Sequence, residues 1–325
     1  QSTVWASARE ISRSQAIQTL WWEWAGYRLG DRLLQTGITP DRGRVKAIKD
    51  RVLRTTYVSA YGLTDADMVR VLRNGQDRPW AHFGGFASSL DAFARAAKDA
   101  GVDGVRFDSA FSWGDKLYDH HRAHLLEQFH TPVFDTYGTG EGFAIAAQKG
   151  GRAYYVMSPH VVVELLDDHD QPVPAGEIGR VIVTRLDARS MPLVRFRLGD
   201  LAVAPATPFV EPGAPAFPQL ERIVGRETDV VRSPGGRTLT VHTFTGVFEH
   251  IGAIRQFAVV PSAAGLTIEY IAAPDLDRGI LDNAERALAD AIGEVVPITW
   301  QPVAHIADAP SGKPQIIRPG RSPRP

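Results

Sequence analysis

Apolar positions in the first third of the chain recur at the spacing of amphipathic helices. The segment SRSQAIQTLWWEWAGYRLGDR predicts a helix that has Ser12 as its N-cap and ends near Gly30. Three further segments predict capped helices: LTDADMVRVLRNG to Gly75, SSLDAFARAAKDAG to Gly101, and YDHHRAHLLEQFH up to Thr131-Pro132. Short apolar runs near 104–111 and 131–138 predict strands between these helices. Alternating helices and strands indicate α/β layers.

The pattern changes near residue 152, where apolar and polar residues begin to alternate between Gly, Pro and Asp turns. This alternation predicts a β-rich subdomain over about 152–225. Beyond GRETDVVRSPGGRT, the segments QFAVVPSAAGLTIEYIAA, GILDNAERALADAIGEV and ITWQPVAHI predict two strands, a helix and a strand. We therefore predict a large N-terminal domain over residues 1–225 and a small α+β domain over residues 226–325.

Composition excludes several function classes. The 325 residues include 36 basic and 37 acidic side chains, so no overall attraction to nucleic acid or to an anionic membrane is expected. There is no cysteine, which excludes disulfides, thiolate catalysis and cysteine-bound metals. No apolar run has the length of a membrane span, and the first residues lack the features of a signal peptide. We expect a soluble, cytoplasmic protein that acts on small molecules.

The glycines of the stretch DTYGTGEGFAIAAQ, residues 135–148, match part of the spacing of a phosphate-binding loop. Gly138, Gly140 and Gly142 follow a predicted strand, but the last glycine of the dinucleotide-binding pattern is missing and no long helix follows. Taken alone, the stretch favours a simple glycine-rich turn with Glu141 in solvent.

Three later segments favour a nucleotide instead. Asp200 follows Gly199 in RFRLGD, where a carboxylate on a tight turn suits the two hydroxyls of a ribose. GRETD places Arg226 at the predicted domain boundary. Lys313 in PSGKPQ is a cation on a loop rich in Pro and Gly, which suits contact with a phosphate.

YGTGEG, MPLVRFRLGD, GRETDVVRSPGGR and PSGK, in this order and at these separations, resemble motifs of the adenylate-forming (acyl-activating) superfamily. The likeness is greatest to its phenylacetate–CoA ligase-like, CapK-type branch. HFGGFASSLDAFARAA (82–97) is similar to the wall of the family's acyl pocket, and FSWGDKLYDHHRAHLLEQF is similar to its adenine shelf. The resemblance implies a large α/β adenylate-forming-type domain, incomplete at the N-terminus, with a β-rich subdomain and a small, mobile C-terminal α+β lid domain.

The resemblance also implies residue roles. Tyr137 would stack on adenine, Glu141 would help hold Mg²⁺, and Asp200 would bind the ribose. Lys313 would be needed for adenylation, and Arg226 would lie near the nucleotide. The other candidates are the loop residues Gly138 and Thr139, the shelf residues Trp113, Gly114 and Asp115, the hinge residue Asp229, and the acyl-pocket residues Phe83, Gly84, Phe86, Phe111 and Phe143.

By the same resemblance, the protein would use ATP and Mg²⁺ to activate an aryl or arylacetic acid as its acyl-adenylate and then transfer the acyl group to CoA. Two alternatives stay open: a different acceptor (a carrier-protein thiol, an amine or an inorganic nitrogen nucleophile), and a non-catalytic protein that binds a nucleotide or an acid. The sequence departs from the family at Gly140, where a Thr or Ser is usual. The resemblance also implies that the family's phosphate loop, with about the first hundred residues of a usual member, lies outside this sequence, and true loss of the loop is the alternative.

Two side-chain clusters have more ordinary interpretations. His120 and His124 have the i, i+4 spacing of a helical metal pair, but no third ligand is evident, so an exposed polar helix face is favoured. Trp21, Trp22 and Trp24 indicate core packing, with a ligand platform or a homodimer contact as the alternative. No G-x-S-x-G motif supports a serine hydrolase.

Overall fold

The computed structural model describes residues 4–37, 43–59, 63–210, 213, 215–227, 230–233, 235, 238–248, 251, 253–262, 265–274, 276–306 and 316–318. The chain divides into two compact units. Unit 1 comprises Gln1–Glu177, Ile182–Phe196 and Val203–Arg222, and unit 2 comprises Ile178–Val181, Arg197–Ala202 and Ile223–Pro325.

The first twelve elements alternate helices with strands and end in a run of strands. They are α1 (Ala8–Trp24), β1 (Leu33–Gly37), α2 (Gly43–Val52), β2 (Thr55–Ser59), α3 (Asp65–Gly75), β3 (His82–Gly85), α4 (Ala87–Asp99), β4 (Ser109–Ser112), α5 (Asp119–Phe129), β5 (Val133–Gly138), β6 (Ala144–Gln148) and β7 (Tyr154–Val156). Five strands follow: β8 (Val161–Leu166), β9 (Ile178–Arg185), β10 (Phe196–Val203), β11 (Gln219–Leu220) and β12 (Arg222–Arg226).

The main sheet of unit 1 has eight strands in the order β11-β7-β6-β5-β4-β3-β1-β2. Strands β2, β1, β3, β4 and β5 are parallel neighbours, as expected where helices connect them, and β5, β6, β7 and β11 pair antiparallel. Strands β12, β10, β9 and β8 form a separate four-stranded sheet in that order.

The parallel part of the main sheet has a hydrophobic core on each face, because adjacent strand residues point in opposite directions. Leu34, Phe83 and Ala110 belong to the core that contains residues of α3, α4 and α5. Leu33 and Phe111 belong to the opposite cluster, with Tyr27. The residue pairs 33/34, 83/84 and 110/111 are therefore split between the two faces.

The rest of the chain forms smaller elements within unit 2. They are β13 (Val230–Arg232), β14 (Thr238–Thr240), α6 (Val241–Phe248), β15 (Ile254–Ser262), β16 (Gly265–Ala272), α7 (Arg278–Ile292) and β17 (Ile298–Pro302). β15 pairs antiparallel with β16, which pairs in parallel with β17. The two strands, the helix and the final strand predicted for this region are confirmed.

The first helix differs from its prediction at both ends. It begins at Ala8 after the N-cap Ser7, whose side chain and backbone exchange hydrogen bonds with Glu10 in a capping box. It ends at Trp24, and Gly26 follows with a φ of +96°. The predicted N-cap Ser12 and the predicted end near Gly30 were wrong, because the Ser7-x-x-Glu10 signal lies one turn earlier.

Other predicted elements agree with the structure, and some were missed. The helix from the Thr64 cap to Gly75 is confirmed, as are the helices within SSLDAFARAAKDAG and YDHHRAHLLEQFH. Helix α2 was not predicted, although Val45, Ile48 and Val52 have the spacing of one helix face; these side chains are exposed in the structure. Among the helices that the structure describes, none combines the length and the apolar character needed to cross a bilayer.

Candidate active site

The glycine-rich stretch forms the turn between β5 and β6. The Thr139 N–H donates to the Phe143 carbonyl at 3.0 Å, and the Gly142 N–H donates to the Thr139 carbonyl at 3.0 Å. A Cβ on Gly138 would lie 2.6 Å from the Phe143 carbonyl oxygen, so this position has no room for a side chain. Because a strand follows the turn, no helix N-terminus is available for phosphates, and the dinucleotide interpretation fails.

Three side chains of this turn are the predicted nucleotide contacts. Tyr137 is 9% exposed, and Glu141 is half-buried. The Thr139 Oγ1 is buried and has no hydrogen-bond partner among the residues described. Such an unsatisfied hydroxyl costs about 1–3 kcal/mol. A ligand oxygen in reach of Thr139 would remove that cost.

Helix α1 supports the turn from one side. Trp21 packs with Ala144 and Ala147 of β6, and the Ser14 Oγ lies 3.4 Å from the Gly142 carbonyl oxygen. The carboxylate of Glu10 accepts hydrogen bonds from the backbone N–H of Arg189 at 2.7 Å and of Ser190 at 3.2 Å. The same helix thus holds both the turn and the segment that follows β9, and at least Trp21 has the packing role expected of the tryptophans.

Arg185 was missed by the sequence reasoning. Its side chain is 4% exposed, and its Nε donates to Asp187 Oδ1 at 3.2 Å. Its Nη1 lies 3.5 Å from where a Cβ on Gly142 would be, and its Nη2 is buried without a partner in the described part of the chain. The sequence did offer a signal, because Arg185 directly follows VIVT in a predicted strand. Side chains alternate between the two faces of a strand, and this position falls on the buried face.

Two glycines of this turn differ in whether they tolerate a side chain, and the difference gives a prediction. Gly142 has a φ of +86°, whereas at Gly140 an added Cβ would meet nothing within 4 Å. We expect Gly142→Ala to lower the free energy of unfolding by about 1–2 kcal/mol, because the left-handed conformation strains an L-residue. Gly140→Ala is the matched control and should leave the free energy of unfolding unchanged. Urea unfolding measures the effect, and equal behaviour of the variants would contradict this account.

The predicted adenine shelf consists of Trp113, Gly114 and Asp115, and in the structure Asp115 stabilises the start of α4. The Asp115 carboxylate accepts hydrogen bonds from the backbone N–H of Ala87 at 2.6 Å and of Ser88 at 3.0 Å. It therefore caps α4, whose own N-cap residue Phe86 has no capping side chain. Gly114 has a φ of +83°, and a Cβ there would lie 2.5 Å from the Phe86 ring.

The predicted acyl-pocket residues lie on different sides of the sheet. Phe83 is 0% exposed and packs with Phe93 and Phe107 at centroid distances of 5.4 Å and 5.0 Å, so it belongs to the helix-covered core. On the other side, the Phe111 ring stacks on Trp22 at 5.0 Å, and Trp22 stacks on Trp113 at 6.0 Å.

Gly84 belongs to this second group, because a Cβ there would lie 2.7 Å from the Phe111 ring. Phe143 is separate from it and stacks on Phe196 at 6.0 Å. Phe83 and Gly84 therefore point to opposite faces of the sheet.

A buried polar network lies under the turn, centred on Asp135 of β5. Its Oδ1 accepts from the Ser112 hydroxyl at 2.5 Å, and its Oδ2 accepts from the Tyr154 hydroxyl at 2.5 Å. Burial raises the pKa of Asp135 above its ordinary value, although these hydrogen bonds act in the opposite direction. The Asp135 N–H donates to Gln148 Oε1 at 3.0 Å, and Arg122 donates to the same oxygen at 2.8 Å.

In unit 2, Asp200 and Arg226 form an ion pair. The Arg226 Nε lies 3.0 Å from Asp200 Oδ1, and its Nη1 donates to the Leu198 carbonyl at 3.1 Å. The Asp200 side chain is 10% exposed and that of Arg226 is 58% exposed. The structure thus brings these two predicted residues together. The predicted hinge Asp229 and the predicted lysine Lys313 lie outside the described residues.

No protein-family model matches this sequence, and no curated protein matches it significantly. Solved structures do match. A 2-hydroxyisobutyryl-CoA ligase in the postadenylation state, in complex with R3-HIB-AMP, is 17% identical, with a TM-score of 0.73 over 95% of this chain and 70% of that chain.

Two other solved structures that match are enzymes named for a different acid or a different reaction. The anthranilate CoA ligase AuaEII in complex with anthranoyl-AMP is 15% identical, with a TM-score of 0.62 over 93% of this chain and 61% of that chain. The amide bond synthetase McbA from Marinactinospora thermotolerans is 20% identical, with a TM-score of 0.63 over 92% of this chain and 64% of that chain. The chain therefore has the α/β fold of adenylate-forming enzymes, as predicted.

Proposed function

We propose that this protein uses ATP to activate a carboxylic acid as its acyl-adenylate and then transfers the acyl group to CoA. The observation that carries the proposal is the fold match along 95% of the chain to a CoA ligase in complex with an acyl-AMP. The turn after β5 adds support, because its buried Thr139 hydroxyl needs a partner that a ligand can supply. The phenylacetate-type branch is part of the proposal and rests on the sequence motifs.

The chemistry proceeds in two steps. A carboxylate oxygen attacks the α-phosphorus of ATP, the bond between the α- and β-phosphates breaks, and pyrophosphate leaves. A thiol sulfur then attacks the carbonyl carbon of the acyl-adenylate, the bond to the AMP oxygen breaks, and the thiol proton goes to solvent. The protein needs to position the reactants and to stabilise charge on the phosphates, since neither step requires a covalent bond to a side chain.

The proposed roles in unit 1 belong to the turn. Tyr137 stacks on adenine, Thr139 donates its hydroxyl to a phosphate oxygen, and Glu141 holds Mg²⁺. A half-buried carboxylate near a hydroxyl fits Mg²⁺, which prefers hard oxygen ligands. When bound, Mg²⁺ neutralises charge on the phosphates. Thr139 takes the role that the family gives to the next position, which is Gly140 here.

The proposed roles in unit 2 belong to Asp200, Arg226 and Lys313. Asp200 accepts hydrogen bonds from the ribose hydroxyls, and Arg226 fixes the orientation of its carboxylate through the 3.0 Å ion pair. Lys313 neutralises charge on the phosphates during adenylation, and Asp229 is the hinge about which the C-terminal region turns before thiol attack.

The proposed substrate is an aryl or arylacetic acid. The support is the resemblance of residues 82–97 to the family's acyl-pocket wall, together with the aromatic side chains Trp22, Phe111 and Trp113 that stack beside Gly84 of that segment. Aromatic rings prefer such stacked arrangements, so a flat aromatic acid is the expected ligand.

The role of Asp200 gives a prediction for nucleotide binding. Asp200→Ala should weaken AMP binding about 10- to 100-fold, because hydrogen bonds to a charged group contribute about 1.5–3 kcal/mol. Asp290→Ala, which removes an exposed carboxylate from α7 in the same unit, is the control and should bind AMP normally. Calorimetric titration with AMP makes the comparison. Unchanged affinity in Asp200→Ala would remove this residue from the site.

The function itself is tested by AMP formation from ATP and a panel of acids, with CoA or another nucleophile as the acceptor. Acid-dependent AMP formation that accelerates with CoA supports the proposal. Acceleration by an amine, a carrier-protein thiol or an inorganic nitrogen species, and not by CoA, would retain adenylation and replace the acceptor. Nucleotide binding without AMP formation from any acid would favour a non-catalytic binding protein.

A further inference from the structure

A cluster of imidazoles and one carboxylate lies where α4 and α5 come together. Helix α5 carries His120, His121 and His124, and α4 carries Asp91. The sequence favoured an exposed polar face here, but His121 is 7% exposed and Asp91 is 4% exposed. The expected exposed face was therefore wrong at His121, and a carboxylate that the sequence pattern did not reveal joins the imidazoles from the neighbouring helix.

The geometry of this cluster matches a metal site. Asp91, His120 and His121 each offer one ligand atom, and the three atoms lie within 4.8 Å of one another. The His120 and His121 rings are 4.1 Å apart between centroids at an interplanar angle of 67°, so they converge although they are adjacent in sequence. Ligand atoms about 2.0–2.2 Å from a zinc ion lie within about 4 Å of one another, so a small closure of the side chains is enough.

The surrounding groups hold the carboxylate in place. The Asp91 Oδ1 lies 2.6 Å from His124 Nδ1, and its Oδ2 lies 2.9 Å from Arg95 Nε. A ligating carboxylate in a protein usually has such outer partners, which fix its orientation.

We propose that Asp91, His120 and His121 bind a zinc ion that links α4 to α5. Two imidazoles and a carboxylate favour borderline divalent metals such as Zn²⁺ over Mg²⁺ and Ca²⁺, which prefer all-oxygen sites. His124 is a positioning residue that orients Asp91. Helix α5 leads into β5, which carries Asp135 and Tyr137, so the ion would fasten the helix that precedes the turn. The inference is independent of the adenylation chemistry.

The test is a titration of the full chain, without a polyhistidine tag and after dialysis against a chelator, with Zn²⁺ in competition with a chromophoric chelator. We expect one zinc ion per chain and no displacement by a large excess of Mg²⁺. His120→Ala and Asp91→Asn should each weaken zinc binding at least about 100-fold, and His124→Ala about 10-fold. His169→Ala is the control, because His169 is exposed in the turn between β8 and β9 and should have no effect.

The titration would overturn the proposal if it gave no stoichiometric zinc on the wild-type chain, or zinc binding by His120→Ala equal to that of the wild type. Far-UV circular dichroism checks that each variant is folded. X-ray absorption at the zinc edge of the wild-type chain gives a readout that needs no variant. It should give two nitrogen donors from imidazole and at least one oxygen donor, and a shell with no imidazole would also overturn the proposal.

Discussion

Replacing Asp135 by alanine should lower the free energy of unfolding by about 2–5 kcal/mol. The change leaves the Ser112 and Tyr154 hydroxyls without their acceptor, and each buried unsatisfied group costs about 1–3 kcal/mol. It also removes a carboxyl group that interacts with the half-buried guanidinium of Arg122. Because Tyr137 lies two residues further along β5, the turn after β5 should loosen as well.

Urea unfolding of Asp135→Ala measures this loss, and Asp119→Ala is the control. Asp119 is 76% exposed and pairs with Arg152, which is 74% exposed, so its removal should cost less than about 1 kcal/mol. The isosteric change Asp135→Asn should be intermediate, because an amide still accepts one of the two hydrogen bonds. If the two alanine variants unfold at the same urea concentration, the network does not stabilise the fold as described.

Replacing Lys313 by alanine should lower the rate of adenylate formation at least about 100-fold, which is the usual effect of removing one group that stabilises transition-state charge. Attack of a thiol on a presynthesised acyl-adenylate should be largely spared, because pyrophosphate has already left. The two half-reactions, assayed separately, therefore respond differently if the proposed role is correct.

The control for Lys313→Ala is Lys98→Ala, which removes an exposed lysine of α4 that pairs with Glu127 on the surface. This variant should keep both half-reactions. Equal loss of adenylation and thiol attack in Lys313→Ala would contradict a role specific to the first step and indicate a general effect on binding or folding.

The fold was predictable where the sequence pattern is strong. Helix α3 begins at the predicted Thr64 cap, because Thr64 and Asp67 form a capping box directly before an apolar stripe. Two strands of the parallel sheet were not predictable. The β1 and β3 segments, LLQTG and HFGG, are short and buried without alternation, and nothing in their sequence separates a strand from a loop.

The site was only partly predictable, for a different reason. Motif order placed Tyr137, Thr139 and Glu141 on one turn and named both Asp200 and Arg226, which form an ion pair in the structure. Arg185 and Asp91 could not be found in this way, because their importance comes from neighbours that are distant in sequence. Asp115 shows the same limit: its carboxylate caps a helix that begins 28 residues earlier.

The central claim, that this protein adenylates a carboxylic acid, is tested most directly by acid-dependent exchange of labelled pyrophosphate into ATP. The full chain would be assayed with a panel of aryl, arylacetic and aliphatic acids, with Lys313→Ala as the inactive control. We predict exchange that requires an aryl or arylacetic acid and is lost in Lys313→Ala. No exchange with any acid, from a folded chain that binds ATP, would contradict the account and leave a protein that binds nucleotide without turning it over.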